Sequence, residues 1–129
     1  MPPSEFMVRF WGVRGSIACS GPRTVRYGGN TSSIEVRCGE RLLLFDGGTG
    51  LRYLGNTLAG PIDADLFLTH THFDHVCGLP FFRPFFDPKN RFRLWAGHLA
   101  DGMTLRRVLG EFMMAPLFPV PPQVFRARM

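Results

Sequence analysis

Long apolar runs are missing from this chain. Segments such as "LLLF" at residues 42–45 are among the longest, far short of the roughly 20 apolar residues that a membrane-crossing helix needs. The N-terminus "MPPSEFMVRF" has neither the basic start nor the apolar stretch of a secretory signal. A cytoplasmic protein without a membrane partner is therefore expected. Cysteine is scarce and odd in number: Cys19, Cys38 and Cys77 show no paired spacing, which argues for free thiols in a reducing compartment over a disulfide framework. Lysine is almost absent. Lys89 stands against fourteen arginines, scattered with no run longer than Arg106-Arg107. The net charge of +5 thus reads as a solvated, mildly cationic surface compatible with anionic substrates. Internal repeats and low-complexity segments are also lacking. The 129 residues suffice for one core and hardly for two.

What is present is an ordered series of strand and helix signals. "FMVRFWG" (6–12) alternates, placing Phe6, Val8 and Phe10 on one face. A long loop rich in Gly, Ser and Arg follows, to residue 29. "TSSIEVR" (31–37) and "LLLFD" (42–46) predict two antiparallel strands joined by the turn "CGER". "GGTGLRYLGNTL" places a glycine loop before a short helix over 51–58. "ADLFLT" (64–69) has strand length and the apolar character of a strand largely buried on both faces. "VCGLPFFRPFF" predicts a short helix broken by Pro80 and Pro84, "RFRLWA" (91–96) a strand, and residues 101–114 a helix. In that helix Leu105, Val108, Leu109, Phe112 and Met113 form one core-packing stripe. Residues 115–129 are a proline-rich tail. Strands first, then alternating strands and helices, imply an α/β domain with a mixed β-sheet and flanking helices on one face.

The densest chemistry lies at residues 68–75, "LTHTHFDH", which holds three of the chain's four histidines. In an extended segment residues two apart point the same way, so His70 and His72 project from one side and Asp74 falls in the same series. His75 is expected to point elsewhere, toward the start of the next helix. Neutral imidazoles suit zinc, manganese or iron. A carboxylate beside an imidazole starts a second metal position, and two bound ions would lower the pKa of a shared water to near 7. Histidines merely capping a strand end by hydrogen bonds are the blander alternative. Cys77, two residues on, reads as a small buried residue before it reads as a ligand.

The run His70-Thr71-His72-Phe73-Asp74-His75 resembles the His-x-His-x-Asp-His signature of the metallo-β-lactamase superfamily. "LLLFDGGTG" is similar to that family's earlier strand-Asp-glycine-loop motif, and "FWGVRGS" and "YGGNTSS" to its opening strands. The resemblance covers most of residues 6–96. It implies one half of an αββα sandwich, with residues 1–129 as the N-terminal half and 115–129 leading toward a second half. It implies His70 and His72 on a first metal, Asp74 and His75 on a second, Asp74 as the carboxylate on which catalysis depends, and Asp46 as a residue holding the ligand loop in place. Zinc or manganese is the implied cofactor, two ions in a complete site. In the family the second half supplies a further His to each metal and a bridging Asp. Downstream of the signature this chain has only His98, too close to the signature to match the family's third motif and read as a surface-loop residue. The site is therefore expected to be half present, with partial metal occupancy.

Within the superfamily, "RFWGVRGS" with "RYGGNTSS" looks more like the phosphodiesterase and RNA-processing branch than the antibiotic-hydrolysing one. The implied activity is hydrolysis of a small phosphodiester or nucleotide, or of RNA; a lactam or thioester is the alternative substrate. Arg14 is a candidate phosphate contact set against an ordinary surface arginine, and Asn30 and Thr31 read as turn caps. A non-catalytic or truncated metal-binding half-domain that associates with another chain is the competing class. Either way, one apolar sheet face should lack a cover within the chain, so self-association or a missing C-terminal half is expected.

Overall fold

Strands β1 (Phe6–Gly12), β2 (Ser33–Cys38), β3 (Arg41–Phe45), β4 (Asp63–Phe67) and β5 (Arg91–Trp95) lie side by side in chain order. The computed structural model in which they are seen describes residues 5–129. The first three strands pair antiparallel and the last three parallel, so the sheet is mixed. The β2–β3 hairpin closes at Cys38 opposite Arg41, with Gly39 at φ 61°, a left-handed turn geometry that favours glycine. Parallel neighbours need a crossover. Helix α1 (Gly50–Gly55) makes the first. Helix α2 (Phe73–Val76) and two single 3-10 turns, Leu79–Phe81 and Arg83–Phe86, make the second, and α3 (Leu105–Phe112) follows β5. The domain is α/β.

Alternation along the strands divides the apolar residues between two faces. Leu42, Leu44, Ala64, Leu66 and Phe92 are buried with Leu51, Leu54, Val76, Leu79, Phe82 and Phe85 from the crossovers. Phe82, Phe85 and Phe92 meet edge to face with centroids 4.9–5.4 Å apart, the preferred arrangement of ring quadrupoles. The opposite face carries the cross-strand row Phe10, Ile34, Phe45, Phe67 and Trp95. Phe10 is 63% and Trp95 51% exposed. The β4 segment, expected to be buried on both faces, is therefore buried on one: Asp65 and Phe67 are only half-buried. Among the described residues no helix or further sheet stacks on that side.

Several boundaries shift for local reasons. β4 ends at Phe67, because the Thr69 N–H turns to Asp46 and leaves the ladder. In place of one broken helix, "VCGLPFFRPFF" forms two 3-10 turns, each with a proline in its first two positions, where the missing N–H costs nothing. α3 begins at Leu105, where the Thr104 hydroxyl accepts from the Arg107 N–H at 3.2 Å. Its stripe does reach the core, through Leu109 and the adjoining Met113. The proline-rich tail is docked: Arg126 and Ala127 N–H groups donate to the Phe85 carbonyl, and Arg128 exchanges backbone bonds with Asn90 and Phe92 beside β5.

Candidate metal centre

All three parallel strands end at the same edge, which is where the chemistry-bearing loops emerge. Leaving β3, Asp46 takes φ 63°, an uncommon geometry that Asp tolerates better than most residues. Its N–H donates to the Phe67 carbonyl at 2.8 Å, tying it to the end of β4. Its buried carboxylate accepts from the Thr69 backbone N–H at 2.9 Å and from the Thr69 hydroxyl at 2.9 and 3.0 Å. The same hydroxyl lies 3.0 Å from His70 Nδ1. A hydroxyl has one proton, and here the carboxylate takes it. The hydroxyl therefore accepts from Nδ1–H, which leaves the His70 Nε2 lone pair free; the tautomer is assigned from this network. Burial, with His75 and His72 adding to it, pushes the His70 pKa down and favours the neutral, ligating form. Asp46 thus acts through Thr69 on His70, the kind of support that orients a metal ligand.

The His70 and His72 rings are 4.6 Å apart, edge on. At His72 the backbone is still extended (φ −60°, ψ 151°), and α2 begins with the next residue. This turn overturns one expectation. Asp74 belongs to a helical turn, not to an extended series, and His75 does not point away: its ring centroid is 4.0 Å from that of His70. His75 Nε2 lies 3.3 Å from Asp74 Oδ2. His75 Nδ1 lies 3.1 Å from Asp46 Oδ2, yet this buried nitrogen has no hydrogen-bond partner; the two atoms are close without being aligned.

The sequence reading missed two anchors of this loop. The Ser16 backbone N–H donates to Asp74 Oδ2 at 2.8 Å, and this bond above all holds the Asp74 carboxyl below its ordinary pKa. A backbone donor 58 residues away along the chain leaves no side-chain signature. Thr69 was legible only as the last residue of a strand. The glycine loop explains itself by contact. Gly47 N–H donates to the His75 carbonyl at 2.7 Å and Gly78 N–H to the Gly47 carbonyl at 2.8 Å. A Cβ on Gly48 would sit 2.5 Å from the Asp74 carbonyl oxygen, and one on Gly78 would overlap the Gly48 carbonyl. The two loops fit only because side chains are missing there.

Thr31 and Thr49 exchange backbone-to-hydroxyl bonds at 2.8 Å each way, and the Thr49 hydroxyl donates to Asn30 Oδ1 at 3.1 Å. Asn30 and Thr31 therefore lock the "GGNTS" loop onto the glycine loop. Arg14 is exposed, its Nε donating to the Ile17 carbonyl at 3.0 Å. Burial pushes the Cys77 thiol up, away from the thiolate form a metal prefers. His98 is exposed and meets the Thr71 hydroxyl at 3.3 Å, on the residue between the two candidate ligands.

Three imidazoles and a carboxylate, one ring nitrogen buried and unpartnered, fit a divalent cation in donor type. Among the described residues, however, no three His, Cys, Asp or Glu side chains are grouped so that they could hold a metal ion.

The family model of the metallo-beta-lactamase superfamily matches residues 26–91. The chain belongs to the metallo-beta-lactamase superfamily. It is similar to a ribonuclease Z of Haloarcula marismortui, with 35% identity over 116 residues, spanning 88% of this chain and 35% of that protein. The chain thus spans about a third of the length of this superfamily relative. A solved structure of a candidate metallo-beta-lactamase from Thermotoga maritima aligns over 67% of this chain and 42% of its own, at 18% identity and a TM-score of 0.40. No helix among the described residues is long and apolar enough to cross a membrane.

Proposed function

We propose that this chain supplies half of a binuclear metal site in a phosphodiester-hydrolysing enzyme. His70 and His72 serve one ion, Asp74 and His75 a second, and the remaining ligands come from a second half or from another chain. The observation that carries this reading is the gathering of the His70, His72 and His75 rings at one sheet edge, with Asp46 and Thr69 presenting the His70 Nε2 lone pair. Zinc or manganese bound there would lower the pKa of water and screen the charge on a phosphoryl oxygen. The chain's own residues fix where that happens: Asp74 is pinned by Ser16, and His75 lies between the Asp46 and Asp74 carboxylates.

Small phosphodiesters, nucleotides or RNA are the substrate class. Similarity to a ribonuclease Z supports it, as does the cationic surface. The three free thiols fit a reducing, cytoplasmic setting. Two protein ligands per ion hold zinc weakly, so the isolated chain should keep less than one equivalent of metal after dialysis and hydrolyse bis(p-nitrophenyl) phosphate hardly at all. Adding a polypeptide that carries the second half should restore turnover with manganese or zinc, and His72→Ala or Asp74→Ala should abolish it. Robust turnover by a verified monomer of this chain would overturn the half-site reading. Turnover of a lactam or thioester but not a phosphodiester would move the substrate class. A second reading, a non-catalytic metal-binding half-domain, would be supported by complementation without turnover.

A further inference from the structure

A cleft of about 740 Å³ lies over α1, α2 and α3, within the size range of small-molecule sites. Phe73 lines it, and Phe73 stands between His72 and Asp74 in the chain, although no candidate ligand itself lines the cleft. Phe81, Phe112 and Phe118 line it too. Their rings form a chain: Phe73 to Phe112 at 5.8 Å, Phe112 to Phe118 at 5.8 Å, Phe118 to Phe81 at 6.1 Å. Phe73 is 66% exposed, so part of an aromatic surface stays open to a ligand instead of being spent on the core.

The polar side chains at this wall include Asn30, Arg52, Tyr53 and Glu111. Asn30 Oδ1 is already taken by the Thr49 hydroxyl, which leaves the amide NH2 as a donor. Arg52 pairs with no carboxylate among the described residues. The one acidic residue lining the cleft, Glu111, is engaged by Arg107 at 2.9 Å. Aromatic surface, a donor and an unpaired cation complement a flat, acceptor-rich ring carrying an anion; an acyl chain or apolar peptide would need neither the donor nor the charge.

We infer that this cleft is a nucleobase subsite, in which a base flanking the scissile phosphodiester packs against Phe73 and Phe112 while Arg52 meets a phosphate. The inference rests on the phosphodiesterase reading above and narrows its substrate to nucleotides. Stacking of a base on an aromatic side chain contributes about 1–3 kcal/mol, equivalent to roughly five- to 150-fold in affinity.

The test is a titration of the full chain, metal-free in EDTA, with adenosine 5′-monophosphate, adenosine and ribose 5-phosphate, followed by amide NMR shifts. Adenosine 5′-monophosphate should perturb Asn30, Arg52, Phe73 and Phe112 and bind at least about fivefold tighter than ribose 5-phosphate. Phe73→Ala should erase that preference and Phe73→Trp should keep it. Arg52→Ala should weaken the nucleotide and leave adenosine unchanged. Equal binding of ribose 5-phosphate, shifts confined to residues outside the cleft, or preferential uptake of hexanoate would overturn the inference. Because binding is read without metal, base recognition without turnover in the complemented assay would sink only the hydrolase reading, and turnover without base recognition only the subsite.

Discussion

On the helix-covered face of the sheet Leu44, Leu66 and Phe92 have no exposed surface, while on the other face of the same strands Phe45, Phe67 and Trp95 stack in a row, the first two half-buried and Trp95 51% exposed. Their centroids are 5.3 and 6.2 Å apart. Both faces are apolar in composition, so composition does not separate core from surface here; the register and the crossover side do. The open face is itself divided. Its aromatic end meets the edge from which Asp46 and His70 emerge. Its far end is ionic: Arg93 binds Asp65 and Asp63, and the Trp95 indole N–H donates to Asp65 at 2.9 Å. An apolar patch bordering a proposed active site, with a charged rim beyond, is the layout of an interaction surface.

The sharpest test of this contrast is a pair of truncations. Leu66→Ala should lower unfolding stability by about 2–5 kcal/mol, and Phe67→Ala by only about 1–2 kcal/mol, read from urea midpoints at unchanged slope. Equal losses would mean that the outer face is covered in solution.

A smaller but more local loss is expected from Gly78→Ala, which sets a methyl against the Gly48 carbonyl. About 1–3 kcal/mol of stability should go. Hydrogen exchange at the Ser16 and Gly47 amides should accelerate, because these bonds hold Asp74 and the His75 backbone. Unchanged protection would show that the two loops are not mechanically joined.

On the open face, Phe45→Lys should leave folding nearly intact and shift any self-association by about tenfold or more in concentration, as light scattering can show. A charge placed in the centre of an apolar contact costs about as much as a lost hot spot. A wild-type chain that stays monodisperse and monomeric at high micromolar concentration would remove the reason to expect a partner there.

The mildest effect concerns acid. Arg93 holds the Asp65 and Asp63 carboxyls below their ordinary pKa. Their folded values lie beneath the unfolded ones, so the stabilisation is complete above the unfolded value and fades as pH falls through the folded one. Denaturation midpoints should therefore decline below about pH 4, less steeply in Arg93→Ala. An identical acid slope in the variant would assign the loss elsewhere.

The strand positions along the chain, the hairpin and the histidine cluster were legible because each depends on neighbours in the chain: alternation, a Gly turn, and histidines at short spacing. The direction of His75 was not, since it depends on where α2 begins, and a start at Phe73 instead of a residue or two later swings the side chain back toward His70. Nor was the double burial assigned to β4, since an apolar strand reads alike whether one face or both are covered.

By itself, then, the sequence determined the mixed α/β sheet, the family of the chain and the cluster of candidate ligands at residues 70–75, all of them short-range patterns. Only the tertiary structure decided that Ser16 grips Asp74, that Thr69 links Asp46 to His70, and which face of the sheet goes bare. Those are contacts between segments far apart in the chain. They are set by how backbones pack once glycines let two loops close on each other, and no local period encodes that.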